Sequence, residues 1–288
     1  INDTKIKFGK NYKFTSKGIY AVQYNIYGNI TLNYMFKNIL SLISFEVIST
    51  CDKKLLIDSM EGTFFNCKNL KDISLKNIDT KNIKSISKLL YNNKNLKNLD
   101  LNELNTENII DMSYLFYNCE SIKNINISHF NTSSVKDMSH IFEKCYSLRS
   151  IDLSGFNTSL VLNMSYMFSG CESLSKLKID NFQTFQVQNM SHMFEKCANI
   201  KNLSLLNFNF NKILDMSYIF SGCEKLETIE VDWSTTKMIN NISHSFKYCS
   251  SLINLNLSNF HTREIIDMSY MFYYCSSLTS LDLSSFDT

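Results

Sequence analysis

Apolar side chains recur along the chain in a fixed order, and the order repeats every 26 residues. In "NMSYMFSGCESLSKLKID", residues 163–180, the residues Met164, Phe168 and Cys171 follow one another at spacings of four and three. These spacings are typical of a short helix, with the preceding Asn or Asp as its N-cap. The apolar residues of "LSKLKI" alternate with polar ones, which indicates a short strand. The pattern predicts one short strand, a turn and about two turns of helix in each coil.

Equivalent positions of successive repeats form columns, and the cysteine column is the clearest. Its members are Cys119, Cys145, Cys171, Cys197, Cys223, Cys249 and Cys275. Toward the N-terminus the same column holds Asn93 and then Cys67, whereas Cys51 falls out of register. Such strict periodicity is typical of a solenoid, in which neighbouring repeats bury a core that one repeat could not bury alone. We therefore predict an α/β solenoid of the leucine-rich-repeat type, with one short parallel strand and a short helix or turn per coil.

The repeat also sets the predicted domain boundaries. Residues 51–288 are predicted to form a solenoid of about nine repeats, and residues 1–50 a β-rich N-terminal cap. A phenylalanine column, with Phe116 and Phe142, lies three residues before the cysteine column. The cap ends in a degenerate repeat, "LNYMFKNILSLISFEV", with Phe36 in the phenylalanine column and Ile39 in the cysteine column. The final residues, "LDLSSFDT", stop within a repeat, so we expect a fragment truncated at its C-terminus.

We predict that the cysteine column has a structural role rather than a catalytic or metal-binding one. Stacked coils place each cysteine about 5 Å from the next in an inward-facing column, where a thiol behaves as a small hydrophobe. Adjacent thiols lie within disulfide range, but seven in a row cannot all pair. The chain has no C-x-x-C metal pair, and the repeat offers no fixed basic partner that would activate a thiolate. We expect no metal site and no cofactor.

Charge and motif content exclude several other classes of protein. Residues 1–100 contain 16 lysines and 8 acidic residues, whereas residues 101–288 contain 13 basic and 19 acidic residues. The lysine-rich end is either a solvated surface or lies near an anionic membrane or wall. No dense basic stripe favours nucleic acid, and no apolar run reaches the ~18 residues of a membrane helix. Catalytic motifs such as H-E-x-x-H and G-x-S-x-G are missing, so we expect neither enzymatic activity nor catalytic residues.

The repeat resembles that of BspA-like leucine-rich-repeat surface proteins. The stretch "DMSYMFYYCSSLTSLDLSSFDT", residues 267–288, carries the joint pattern "D-M-S-x-M-F-x-x-C-x-S-L-x-x-L-D-L-S-x-F". The resemblance covers about residues 51–288. It implies a leucine-rich-repeat solenoid at the cell surface that binds extracellular-matrix proteins, host cells or other microbes, without catalysis. The chain departs from the pattern, and its coils are expected to be looser, at Asn93, Ile242, Trp233 and residues 76–108.

Strand positions that point outward are the candidate binding surface, because the strand lines the concave face of a leucine-rich-repeat coil. They form either a solvated sheet surface or a polar, mildly acidic strip that recognises a protein or glycan ligand. The candidate ligand-binding residues are Asn124, Asn126, Ser150, Asp152, Lys176, Lys178, Asn202, Glu230, Trp233, Asn254 and Asn256.

Two further features carry open alternatives. Trp233, the only tryptophan, precedes Ser234, which stands where the neighbouring repeats have Phe208 and Phe260. Trp233 either turns inward to fill the vacated position or is an exposed aromatic on the rim, where it would be a binding hot spot. A second column alternates tyrosine and histidine from Tyr114 to Tyr270. It is either an aromatic stack on a half-exposed ridge or a pH-sensitive adhesion surface.

The sequence therefore predicts a non-catalytic, cell-surface adhesion protein. Its expected partners are extracellular-matrix, host or neighbouring-cell proteins and glycans; nucleic acid and direct membrane insertion are not expected. The alternative is an intracellular repeat scaffold for protein–protein interaction, which the unpaired thiols would fit.

Overall fold

A computed structural model describes residues 30–46, 54–97 and 99–286 as a stack of coils with parallel backbone pairing between neighbours. The described residues contain nine short strands. They are Ile30–Thr31 (β1), Ser44–Glu46 (β2), Leu55–Ser59 (β3), Asp72–Ser74 (β4), Ile78–Asp79 (β5), Ser150–Asp152 (β6), Lys176–Lys178 (β7), Asn202–Ser204 (β8) and Thr228–Glu230 (β9).

Every strand pair is parallel, in the arrangement β1–β3–β5, β2–β4, β6–β7 and β8–β9. Ser150 of β6 lies opposite Lys176 of β7, and Asn202 of β8 lies opposite Thr228 of β9. Partners in these two pairs are 26 residues apart, which is the sequence repeat. The predicted parallel-strand solenoid is confirmed.

A second column of pairing runs beside the strands, through the Asp or Asn that begins each "D-M-S" motif. Isolated parallel bridges join equivalent residues of successive coils, from Ser85–Asp111 to Asn241–Asp267. Each of these Asp or Asn side chains also accepts the backbone N–H of the serine two residues later, as Asp137 Oδ1 does from Ser139 at 2.8 Å. These are Asx turns, the alternative that short polar side chains offer to a helix N-cap.

The predicted short helix is replaced by consecutive tight turns. Backbone bonds between residues three apart close turns over 112–115, 114–117 and 116–119. Tyr114 is the third residue of the first turn and has a φ of 56°. Asn118 is the third residue of the last turn and has a φ of 57°. A positive φ at this position is typical of type II turns and ends any helical path. The described residues contain no α-helix, and their one 3-10 turn is Trp233–Thr235.

Bonding between coils explains why turns replace the helix. Alternate N–H groups of the segment donate to the next coil: Met112 N bonds to Asp137 O at 3.0 Å and Phe116 N to Ile141 O at 2.9 Å. An α-helix would use the same N–H groups within its own coil and leave neighbouring coils unpaired. The turns therefore lack the hydrogen bonds of an α-helix, and the N–H groups that would make them bond instead to the neighbouring coil along the whole stack.

The core follows the repeat. Phe116, Phe142, Phe168, Phe194 and Phe220 are buried, and neighbouring rings in this column stack at 5.5 to 5.8 Å between centroids. The methionines four residues before these phenylalanines, Met112, Met138, Met164, Met190 and Met216, are also buried. Phe36 continues the phenylalanine column, because its ring stacks on Phe64 at 5.6 Å. Residues 1–29 and 47–50 of the predicted cap lie outside the described residues.

Candidate functional site

The cysteine column is buried except at half-buried Cys275, and each thiol among the described residues is a hydrogen-bond donor. Cys171 Sγ donates to the backbone oxygen of Phe142 at 3.2 Å, a residue in the preceding coil. Equivalent bonds recur along the column, with Sγ–O distances of 2.9 to 3.2 Å, at Cys67, Cys119, Cys145, Cys197, Cys223, Cys249 and Cys275. Asn93 replaces cysteine once and donates its Nδ2–H to Phe64 O at 2.8 Å. A residue in this column must therefore be small and must also donate a hydrogen bond to the preceding coil.

Burial makes these thiols poor nucleophiles. Desolvation raises the pKa of Cys119 and of Cys223 to about 12, and it raises the pKa of Cys145 well above the usual value. All eight cysteines among the described residues are free thiols. The thiolate, rather than the thiol, attacks electrophiles and binds metals. The geometry therefore supports the structural role of the ladder, and the described residues contain no group of His, Cys, Asp or Glu that could hold a metal ion.

The predicted binding residues, Trp233 excepted, form one polar surface along the strand column, which we call the strand face. Nine of these ten residues are exposed, and Ser150 is half-buried. The strand face consists of Asn124, Asn126, Ser150, Asp152, Lys176, Lys178, Asn202, Glu230, Asn254 and Asn256.

An ion pair lies near the middle of the strand face. Lys178 Nζ bonds to Asp152 Oδ2 at 2.8 Å across adjacent coils. The hydrogen bond from Lys178, supported by bonds from Ser154, holds the pKa of Asp152 well below its usual range. The carboxylate is therefore charged under all physiological conditions, although solvent screening makes such an exposed pair a weak source of stability.

Other strand-face side chains are held by local bonds. Asn126 and Asn256 each accept the backbone N–H of the serine two residues later, which fixes the carboxamide in an Asx turn. Ser150 Oγ bonds to Asn124 Oδ1 at 3.1 Å, and Thr228 Oγ1 to Asn202 Oδ1 at 2.7 Å. The face is thus a positioned array of amide, hydroxyl and charged groups.

Trp233 does not belong to this surface, so its inclusion among the ligand-binding residues is wrong. Its side chain is 5% exposed, and its ring lies 5.7 Å from Phe210 and 5.3 Å from Phe260, edge-on to the latter. Ser234 stands where neighbouring coils have Phe208 and Phe260, and the indole of Trp233 fills the space that this phenylalanine would occupy. Asp232 caps the short 3-10 turn that redirects the chain.

The alternating tyrosine and histidine column forms a continuous stack, which we call the aromatic ridge. Neighbouring ring centroids lie 4.1 to 4.9 Å apart, with interplanar angles of 7° to 24°. The ridge consists of Tyr114, His140, Tyr166, His192, Tyr218, His244 and Tyr270. Each of the five inner rings has a neighbour on both faces, so these rings present only their edges outward. The ridge is therefore not a platform on which a planar ligand could stack.

Two ridge histidines have carboxylate partners that the sequence pattern did not single out. His140 Nδ1 lies 2.5 Å from Glu143 Oε2, and His192 Nδ1 lies 2.9 Å from Glu195 Oε2. Burial raises the pKa of Glu195, but its bond to His192 and nearby positive charge outweigh this, so the net shift is downward. The sequence does contain a sign of these pairs, because glutamate occurs three residues after each of the two histidines. The equivalent positions after Tyr166 and Tyr218 are serine. His244 lacks such a partner, and its Nδ1 is buried without a hydrogen bond.

Among the described ranges, no helix has the length and apolar character needed to span a bilayer.

Solved structures that are similar to this chain include leucine-rich-repeat proteins at low sequence identity. A leucine-rich repeat protein from Bacteroides ovatus is 17% identical, with a TM-score of 0.41 over 88% of this chain and 76% of its own. A leucine rich cell surface protein from Faecalibacterium prausnitzii is 15% identical, with a TM-score of 0.34 over 92% and 87% of the two chains. Internalin C2 from Listeria monocytogenes is 20% identical, with a TM-score of 0.32 over 67% and 73%.

No curated protein matches the chain. One family model does, in three overlapping segments, residues 58–175, 122–233 and 227–288. Together they span all the coils from β3 onward, in which the 26-residue repeat is found. The chain belongs to the family described as "Mycoplasma protein of unknown function, DUF285".

Proposed function

We propose that this solenoid is a non-catalytic binding module displayed at the cell surface, where the strand face holds a protein or glycan ligand. The main observation in support of this proposal is the strand face. It consists of ten polar residues at equivalent outward positions of successive coils, and all but one of them are exposed. The resemblance of the repeat to BspA-like surface proteins supports adhesion as the purpose of this binding.

The backbone supports such a role because it presents the face rigidly. Parallel pairing fixes one side of the coils, and the bridges through the "D-M-S" motif fix another. A preorganised surface binds with less loss of conformational entropy than a flexible one. Its side chains offer hydrogen-bond donors, acceptors and both charges, which suits an extended polar partner.

Location is tested first, by protease shaving of intact source cells with detection of the repeat region. Cleavage while cytoplasmic markers survive supports surface display. Protection until lysis would instead favour an intracellular scaffold, which the eight free thiols among the described residues also fit.

Binding is tested with immobilised extracellular-matrix proteins and whole cells, using the charge-swapped variant Asp152→Lys with Lys178→Asp. The swap keeps an ion pair between the same two coils but reverses its direction on the strand face. We expect the swap to lower the melting temperature by only about 2–4 °C, because it removes the hydrogen bonds that Asp152 accepts from Ser154. It should weaken ligand capture at least about tenfold, as loss of one good polar contact does. Capture that is unaffected by the swap, and by Asn126→Ala, would exclude the strand face as the binding surface.

A further inference from the structure

An open groove of 610 Å³ lies outside the strand face, where the coils turn after β6, β7 and β8. Its walls come from residues 155–157, 180–183, 185 and 207. The volume falls in the range of about 300–1,000 Å³ that is typical of small-ligand sites. Several of its residues depart from the repeat, and we call it the Gly155 groove.

Gly155 opens the groove by leaving a position of the repeat empty. The equivalent residues His129, Asn181 and Asn207 bond to a backbone oxygen of the preceding coil, as Asn181 Nδ2 does to Ser154 O at 2.8 Å. A Cβ atom added at Gly155 would lie 3.4 Å from Ser128 O, which is an ordinary contact. The fold therefore tolerates a side chain here, and glycine is needed only to keep the space open.

Phe185 forms an apolar wall of the groove and is 55% exposed. The equivalent positions of the other coils are all polar: Lys81, Glu107, Ser133, Ser159, Asn211, Lys237 and Arg263. A single exposed apolar side chain is common on protein surfaces. Phe185 is distinctive because the repeat has polar residues at this position elsewhere and because its ring lines the groove, where a bound ligand would cover it.

Polar groups beside Phe185 are free to bind. Asn131, Asn157 and Asn209 occupy one column and use their Oδ1 atoms in Asx turns. Gln183 replaces asparagine in this coil, and no hydrogen bond holds its carboxamide within the described part of the chain. The carboxylate of Asp180 is likewise without a hydrogen bond there. Both face a groove that no lysine or arginine lines.

One exposed ring, one carboxylate and one carboxamide define the ligand chemistry. A carboxylate accepts hydroxyl hydrogens, and a carboxamide both donates and accepts. An anionic ligand would be repelled by Asp180 and would find no cation in the groove walls. We propose that the Gly155 groove binds one neutral sugar residue of a glycan, with an apolar face of the sugar on Phe185 and its hydroxyls on Asp180 and Gln183. This site is separate from the strand face and does not depend on the function proposed for it.

The test uses the whole chain and saturation-transfer NMR titrations. The probes are the methyl glycosides of glucose, galactose and mannose, N-acetylglucosamine, and anionic glucuronic acid. The variants are Phe185→Ser, which restores the residue of the two preceding coils, and Gly155→Asn, which restores the residue of the two following coils. The matched control is Ser133→Phe, which places the same ring in a coil without a groove.

We expect saturable, weak binding of at least one neutral probe and none of glucuronic acid. Phe185→Ser and Gly155→Asn should each weaken it by about tenfold or more, whereas Ser133→Phe and the strand-face swap of Asp152 and Lys178 leave it unchanged. Far-UV circular dichroism confirms folding of each variant. The proposal is overturned if no neutral probe binds saturably, or if either groove variant, shown to be folded, binds as the unmodified chain does. Capture of matrix proteins by the strand face can fail or succeed independently of these results.

Discussion

Replacing Asn93 by cysteine is expected to stabilise the solenoid, although it removes an amide hydrogen bond from the core. Asn93 is fully buried in the cysteine column. Its Nδ2–H donates to Phe64 O at 2.8 Å, but its Oδ1 atom is buried without a hydrogen-bond partner. A cysteine would donate its S–H to the same carbonyl, as Cys119 does to Leu90 O at 3.2 Å, and would leave no buried acceptor unsatisfied.

The magnitude follows from two opposing contributions. An unsatisfied buried acceptor costs about 1–3 kcal/mol, and a typical hydrogen bond contributes about 1 kcal/mol net. Asn93→Cys removes the first cost and exchanges the amide bond for a weaker thiol bond. The thiol is also less polar than the carboxamide and is suited to burial. The expected net gain in the free energy of unfolding is therefore about 1 kcal/mol.

Thermal and urea unfolding, followed by far-UV circular dichroism, measure this gain. For a chain of this size, 1 kcal/mol raises the melting temperature by about 2–4 °C. The reverse change in the next coil, Cys119→Asn, is the control and should lower it, because it buries a second carboxamide. A melting temperature for Asn93→Cys at or below that of the unmodified chain would refute the assignment of an unsatisfied acceptor at Asn93.

Three further outcomes are expected. Trp233 should show blue-shifted emission that iodide barely quenches, because its ring is 5% exposed; exposed-type quenching would contradict the packing described. In the folded protein, fully buried Cys171 should resist an aromatic disulfide reagent, because burial raises its pKa well above the usual value. Half-buried Cys275 should react before Cys171; equal rates at these two thiols would contradict this order. Burial and then the charge of Lys247 lower the pKa of His244, so the unfolded chain binds the proton more readily. Stability should therefore fall as pH drops below about 6.5, and His244→Tyr should reduce that fall; an unchanged pH dependence would exclude His244 as a source.

Much of the fold could be predicted from the sequence because the 26-residue period is the length of one coil of the stack. A 26-residue spacing requires equivalent residues to meet, so the columns at Cys171 and Phe168 and the parallel strands followed from counting alone. The burial of the thiols also followed. Their role as donors to the preceding coil did not, because it depends on where backbone oxygens point.

The helix was wrong for an identifiable reason. Met, Phe and Cys at spacings of four and three fit a helical face, but the same spacings also fit three successive turns. The distinguishing signal is positive φ at residues such as Tyr114 and Lys144, neither of which is glycine. Residue type gives no warning there, since tyrosine and lysine ordinarily avoid this region. Pairing between coils, which no local pattern encodes, decides the conformation.

The position of the strand face could be predicted from the sequence, whereas the place of Trp233 could not. Strand alternation located the strand face, but it could not show that Asp152 is paired with Lys178. Trp233 was ambiguous because an aromatic next to a missing core residue can turn either way, and only the space left by Ser234 decides. The Gly155 groove was missed because its residues lie in a turn rather than on a strand.

The aromatic ridge shows how the repeat tolerates backbone strain. All seven ridge residues have φ between 56° and 60°, which costs about 1–2 kcal/mol for a residue with a side chain. Each ring also stacks on the next, and an aromatic pair contributes about 0.5–1.5 kcal/mol beyond its buried area. Strain and stacking are thus of similar size, and both are repeated once per coil. Glycine at this position would remove the backbone strain and the ring stacking together. Because the two contributions are of similar size, tyrosine and histidine are tolerated where the positive φ would ordinarily favour glycine. Phe185 differs from the ridge rings, because its neighbours in the column, Ser159 and Asn211, are polar and its ring has no stacking partner there.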